Sequence, residues 1–305
     1  MTQKIAFLVS DNLLPDLDGV KRDDVFEFVE ELSALRPVFA DLGMTLDVVR
    51  WRDISQTAHE YDAVLPLMVW DYFEGNELEF MQAMAKVEAQ TLLLNSFNVL
   101  QWNANKSYLD ELEARGASVI PTITVERVTP SNVAGAFETL GVDKIVIKPQ
   151  VGGGAWRQVL HNKGEPFPPK SELPPQAALI QAFLPSVQKE GEYSFLYFGG
   201  RFSHAALKQA KAGEYRIQSI YGGQETPYIP NREERDTART VLNVLDFIPL
   251  YARVDLLRGT CGGLKLIELE MIEPYLYLPH AQTIDGVNQG ALALAKALKA
   301  RLLAT

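Results

Sequence analysis

Apolar residues fall in two rhythms along the chain, and the change of rhythm divides it. In the first hundred residues, short apolar runs of strand length alternate with longer stretches of helical period. Ile5–Val9, "MTLDVVRW" and "YDAVLPLMVW" read as strands. Val25–Leu42, with Pro37 as a break or kink, and "NELEFMQAMAKVEAQ" read as helices, and "TLLLNS" follows as another short apolar run. "DNLLPDLDG" reads as a loop. Strands alternating with helices predict a parallel sheet covered on its faces. We therefore expect an α/β lobe over residues 1–100.

Beyond it the rhythm changes. "NANKSYLDELEARG" is an amphipathic helix that Gly116 stops. "DKIVIKP" is a strand followed at once by the glycine loop "QVGGGAWRQ", and "AALIQAFLP" is a further strand after the proline-rich connection "PFPPKSELPP". "GEYSFLYFGGRFSHAALK" predicts two antiparallel strands turning at Gly199-Gly200, and "PLYARVDLLRGTCGGLKLIELE" predicts a second hairpin. "NQGALALAKALKARLLA" is a closing helix. This half is α+β.

Composition narrows the function classes. A chain of 305 residues with 47% hydrophobic and 22% charged residues suits a globular protein of two or three lobes. The net charge of −10, without a Lys/Arg-rich run, argues against a nucleic-acid partner. No apolar run has the length of a membrane span, and "MTQKIAFLVSDN" reads as a strand rather than a signal peptide. The single cysteine, Cys261, excludes an internal disulfide and points to a reducing, cytoplasmic compartment. It stands in the turn-like "RGTCGG" with no histidine beside it, which argues against a nucleophile.

The stretch "LKLIELEMIEP" carries the most telling chemistry. It reads as a half-buried strand, yet Glu268 and Glu270 point to one face of it. Arg253 and Asp255 share a face of "YARVDLL" in the same way. If the two stretches pair, Asp255, Glu268 and Glu270 converge. Three carboxylates suit a hard divalent cation, Mg²⁺ above all, and two ions about 4 Å apart could share a bridging carboxylate. An ordinary acidic surface strand has the same pattern.

"VIKPQVGGGAWR" places Lys148 at a strand end before Gly152, Gly153 and Gly154. Glycines let backbone N–H groups approach phosphate oxygens. The spacing is neither that of a Walker loop nor that of a dinucleotide fold, and a plain hairpin turn would look alike. Lys106, Lys148, Lys208, Arg216 and Arg253 each stand near a strand end or a glycine-rich turn. Singly they are solvated charges; with the glycine loop and the acids they describe a polyphosphate site. In "LIQAFLPS", Gln181 and an apolar run offer a slot for a planar base, and Glu192 in "GEYS" suits ribose hydroxyls.

Taken in order, "QAFLPSV…GEYS…GGRFSHAALK…GEYRIQ…GG…YARVDL…IELEMIEP" resembles the ATP-grasp superfamily over the last two-thirds of the chain. "VWDY" and "LLNSFNVLQWNANKSYL" resemble its glutathione-synthetase-like subgroup, which includes the O-ureido-serine cyclo-ligase of cycloserine biosynthesis. The resemblance implies an ATP-grasp fold with an N-terminal Rossmann-like lobe over 1–100. A central lobe over 101–182 and a C-terminal lobe over 183–305 follow it. It implies that Lys106, Lys148, Gly152, Gly153, Gly154, Gln181, Leu184 and Glu192 bind ATP. Lys208 and Arg216 surround the transferred phosphate, Arg253 stabilises the acyl intermediate, and Asp255, Glu268 and Glu270 hold two Mg²⁺ ions, with Mn²⁺ as a substitute. Many members have Asn in place of Glu270 and a glycine-containing substrate loop in place of "MIEPYLYL", so the acceptor does not carry over.

The expected activity is an ATP-dependent, ADP-forming carboxylate–amine ligase acting through an acyl phosphate on small, amino-acid-like carboxylate and amine substrates, in a protein that forms a homodimer. The alternatives are an intramolecular cyclo-ligase and a non-catalytic nucleotide-binding protein. For the substrate we look to Glu273 in the divergent loop and to the first lobe, because ligands bind beyond the carboxyl ends of parallel strands. Asp11 and Asp71 follow two predicted strands and suit a substrate ammonium, with Trp70 and Tyr72 as walls. A helix cap at Asp11 and core packing at Trp70 are the plainer readings.

Overall fold

The computed structural model describes residues 2–14, 23–211, 213–217 and 219–304. Part of the loop expected at "DNLLPDLDG" lies outside them. Three large sheets and one two-stranded ladder, Thr283–Ile284 with Val287–Asn288, make up the β-structure of the described residues. In the first, β1 (Gln3–Val9), β2 (Met44–Arg50), β3 (Ala63–Met68) and β4 (Leu92–Leu93) run parallel in the order β2-β1-β3-β4. All six residues of β3 are buried, as a central strand covered on both faces requires. Helices Val25–Asp41 and Glu77–Glu88 flank this sheet's strands in the chain, and Pro37 lies inside the first.

The second sheet is antiparallel, β5 (Thr122–Val125), β6 (Lys144–Pro149), β7 (Val159–Asn162) and β8 (Ala178–Ala182), in the order β5-β8-β6-β7. It has a small core of its own with helix Pro130–Leu140. The third contains the two expected hairpins. Its strands β9 (Glu192–Phe198), β10 (Arg201–Gln209), β11 (Gln224–Tyr228), β12 (Tyr251–Arg258) and β13 (Leu264–Glu270) run antiparallel in the order β11-β10-β9-β12-β13. The closing helix Gln289–Leu302 packs on helix Val25–Asp41 and on β10. Its Leu294 and Leu298 thereby join Leu35 and Phe39 of the first lobe to Leu196 and Phe198 of the third sheet in one core.

One expected helix is two. Over 103–116 the chain forms the end of helix Phe97–Asn103, a break, and helix Tyr108–Ala114. Asn105 Oδ1 accepts the Ser107 amide at 3.0 Å, a local bond that competes with helix continuation. The break holds Lys106, whose amide donates to Gln150 O of the glycine-loop segment at 2.9 Å.

Candidate functional site

The three sheets meet around one cleft of about 240 Å³. Its floor is a face of the third sheet, and register builds it. Glu192 on β9 stands opposite Lys208 on β10, and Ser194 opposite Asp255 on β12. Asp255 in turn faces Glu268 on β13, and Arg253 faces Glu270. A row of charged and polar groups therefore crosses four strands on one face.

The row depends on a bulge. Asp255 pairs with Glu268 but Leu256 pairs with Leu266, so Ile267 is an extra residue in β13. The bulge resets the side-chain parity. Leu266 and Leu269 both face the core although they are three residues apart, and Glu268 and Glu270 turn to the cleft. The bulged Ile267 presents its carbonyl to Lys148 Nζ at 3.2 Å. Buried side chains brace the end of β13. Asn103 Nδ2 donates to Leu269 O and its Oδ1 accepts the Met271 amide, both at 2.7 Å. The Leu269 amide donates to the Tyr108 hydroxyl at 2.9 Å. Asn95 Nδ2 bridges the carbonyls of Tyr251 and Met271 at 3.0 and 2.9 Å.

Every residue expected to bind nucleotide, phosphate or metal lines the cleft. Lys106, Lys148, Gly152, Gly153, Gly154, Gln181, Leu184, Glu192, Lys208, Arg216, Arg253, Asp255, Glu268 and Glu270 are all there. Cations from two further segments close on the acidic floor. Lys106 Nζ lies 3.0 Å from Glu268 Oε1 and also donates to Gly152 O. Arg253 Nε donates to both Asp255 oxygens, at 3.1 and 2.9 Å. Lys208 bridges Glu192 and, at 3.5 Å, Asp255. Ser194 Oγ donates to Asp255 as well. Arg216 is held by Glu214 at 2.6 Å and stacks 3.8 Å from the Tyr221 ring. Gln181 Nε2 donates to Thr122 Oγ1 at 3.0 Å, across the β5–β8 pair.

Burial and pairing set opposed charge states. Burial pushes Asp255 and Glu268 up, but Arg253 and Lys208 on the first, and Lys106 and Lys148 on the second, outweigh it and hold both below the usual carboxylate range. At Glu270 the balance is reversed: burial and then Glu268 push it up, and Arg253 and Lys106 offset this only in part. Burial pushes Lys148 down to about 8, and Glu268 offsets this only in part.

The acids are therefore neutralised here by lysine and arginine. No group of three His, Cys, Asp or Glu residues close enough to hold a metal exists among the described residues. The donor set nonetheless fits a hard cation. Three carboxylates of one sheet face, Asp255, Glu268 and Glu270, line one cleft, and oxygen donors of this kind are what Mg²⁺ takes.

The first-lobe substrate candidates are placed differently from the rest. Asp11, Asp71 and Tyr72 do not line the cleft among the described residues. Asp71 accepts from Trp51 Nε1 and from Arg52, both at 2.7 Å, and Asp11 lies 3.4 Å from Arg52, so both carboxylates are already engaged. Tyr72 packs against Phe73 and Phe80. Trp70 does line the cleft, and its Nε1 donates to Glu273 O at 3.1 Å. Sequence reasoning missed Phe73, Trp156, Tyr275 and Tyr277 on the cleft wall. The aromatic pair in "EPYLYL" was a signal. Phe73 had none, since only the fold brings its ring against the glycine loop, 2.9 Å from where a Cβ on Gly153 would sit.

Comparison with known proteins agrees with this geometry. Residues 5–95 match the family described as the N-terminal domain of D-cycloserine synthetase DcsG. The cycloserine biosynthesis protein DcsG of Streptomyces lavendulae is 28% identical, over 92% of this chain and 97% of its own length. The crystal structure of D-cycloserine synthetase DcsG superposes with a TM-score of 0.81 at 24% identity, over 98% of this chain and 99% of that one. A D-alanine–D-alanine ligase from Bacillus anthracis gives 0.64 at 14% identity, covering 97% and 95% of the two chains. The ATP-grasp ligase PsnB, in complex with a minimal precursor, Mg and ADP, gives 0.62 at 13% identity, covering 98% of each. The chain has the fold of these ATP-grasp ligases and resembles the cycloserine enzyme along nearly its whole length.

Proposed function

We propose that the enzyme joins a small, amino-acid-like carboxylate to a nitrogen nucleophile, through an acyl phosphate and with release of ADP and phosphate. The observation that carries this reading is a cleft in which a glycine loop and two buried lysines face a row of carboxylates with Arg253 among them. Phosphoryl transfer asks the protein for positioning and charge neutralisation more than for covalent help. Lys106 and Lys148 bind phosphate oxygens from one side, and the Gly152–Gly154 loop covers them. Gln181 and Leu184 stand by the base, and Glu192 by the ribose. Lys208 and Arg216 neutralise the transferred phosphate. Asp255, Glu268 and Glu270 would hold Mg²⁺, which supplies Lewis-acid neutralisation of the phosphates when bound. Arg253, anchored through Nε by Asp255, offers its terminal nitrogens to the oxyanion of the tetrahedral intermediate. The acyl phosphate must be kept from water, and the glycine loop seated against Phe73 provides the closure.

A second reading has carboxylate and nucleophile in one molecule. It is favoured by the resemblance to a cycloserine synthetase along nearly the whole chain. A coupled ADP-release assay over a panel of amino acids and amines tests both. ADP that appears only with two substrates supports the intermolecular reaction. A lone substrate converted to a product lighter by one water supports cyclisation. ATP binding without ADP release, across the whole panel, would leave a nucleotide-binding protein.

A further inference from the structure

The cleft has more negative charge than its phosphate chemistry uses. Eight carboxylates line it against five lysines and arginines. The surplus gathers at the end nearest the first lobe, on the loop that leaves β13. Glu273 lines the cleft there, only 8% exposed, and its Oε2 is buried with no hydrogen-bond partner among the described residues. A polar atom left in this state loses its hydration without a replacement, the more so when charged, and a fold keeps one where a ligand supplies the partner. The cations within reach are committed. Lys106 Nζ is bound to Glu268 and Gly152 O, and Arg253 Nε to Asp255. Behind the loop, Glu31 is fully buried with one oxygen also unpartnered among the described residues, and its other oxygen accepts the Leu276 amide at 3.4 Å. Around Glu273 the walls are aromatic. Trp70 fixes its carbonyl, and Tyr275 and Tyr277 follow it on the same loop. A buried carboxylate among aromatic faces is the environment that a cationic nitrogen prefers.

We propose that this end of the cleft is a subsite for a protonated amino group of the carboxylate substrate, with Glu273 as its counter-ion. The inference rests on the ligase reading and adds to it the residue that selects an ammonium-bearing substrate. The substrate is zwitterionic: its carboxylate lies towards Arg253 and its ammonium towards Glu273. The backbone links the two anchors, since Arg253 also donates to Tyr275 O at 3.4 Å.

The test pairs each amino acid of the panel with its des-amino counterpart, in the parent, in Glu273→Gln and in Glu273→Asp. ADP release and the thermal shift with ATP and Mg²⁺ present are both read. The parent should favour the ammonium-bearing member by about 100-fold in kcat/KM. Glu273→Gln should bring that ratio to within a few-fold of one, and Glu273→Asp should keep part of it, with the KM for ATP unchanged. An undiminished preference in Glu273→Gln overturns the proposal. So does a raised Mg²⁺ requirement with the preference intact, which would assign the carboxylate to a metal. If no carboxylate releases ADP, the ligase reading fails. The thermal shift still decides the subsite, since amino acids must then stabilise the parent and not Glu273→Gln.

Discussion

Lys148 is where function and stability should pull apart. Its ammonium is buried at the end of β6 and donates to the Ile267 carbonyl, and burial lowers it from 10.5 to about 8. That fall corresponds to about 3 kcal/mol of destabilisation while the group is charged in both the folded and unfolded states. Replacing it by methionine removes the charge and keeps the stem, but leaves the Ile267 carbonyl without its donor, at roughly 1 kcal/mol. Lys148→Met should therefore stabilise the ligand-free protein by about 2 kcal/mol at pH 7 and abolish its stabilisation by ATP. The sign with pH is definite. Between pH 8 and about 10.5 the unfolded chain holds the proton and the folded chain does not, so the parent gains stability as pH rises. The advantage of the variant should thus be full below pH 8 and shrink above it. Urea titrations of both proteins at pH 7 and pH 9.5 measure this. A variant less stable than the parent at pH 7, by an amount that does not change with pH, would refute the reasoning and make the ammonium a net structural asset.

Three further substitutions probe the rest. Glu268→Gln should leave the fold intact and lower ADP release by at least about 100-fold at saturating Mg²⁺, because a carboxylate facing Asp255 and Lys106 is lost; equal turnover would sink the metal role. Gly153→Ala sets a methyl 2.9 Å from the Phe73 ring, an overpacking of about 1–3 kcal/mol. ATP should then protect the loop from proteolysis less well, and adding Phe73→Ala should restore protection if the contact is real. Asp71→Asn should lower stability by about 1–2 kcal/mol, since Arg52 loses its closest carboxylate, and leave the KM of the carboxylate substrate unchanged. A selective rise in that KM would return Asp71 to the substrate site.

Much of the site was legible because strand parity is a local rule. Arg253 with Asp255, and Glu268 with Glu270, share faces by alternation alone, and the hairpin that pairs them shows in the turn "RGTCGG". What parity could not give is the bulge at Ile267. It adds one residue to β13 and so decides whether Leu266 or Glu268 faces the core. The first-lobe acids lie off the cleft lining for a different reason. Asp71 does follow β3, at the edge where ligands bind, but Arg52 and Trp51 arrive beside it from the segment after β2 and claim its oxygens. Such a pairing is long-range and leaves no mark near residue 71. The break at Lys106 was hidden because the apolar period runs straight through it, and a single Asn105 bond interrupts the helix.

The same charges that would bind ligand now hold the lobes together. Lys106 comes from the break before helix Tyr108–Ala114, Lys148 from the second sheet, and both reach across to β13, one to Glu268 and one to the Ile267 carbonyl. In the proposed reaction a phosphate would replace Glu268 at Lys106, while a divalent cation would replace Lys106 at Glu268. Each buried charge exchanges one partner for another and is never left alone, so binding avoids the several kcal/mol that an unpaired buried ion costs. Phosphate without the cation would strand Glu268, and the cation without phosphate would strand Lys106. Nucleotide and metal should therefore bind cooperatively, and the coupling should run through this one ion pair.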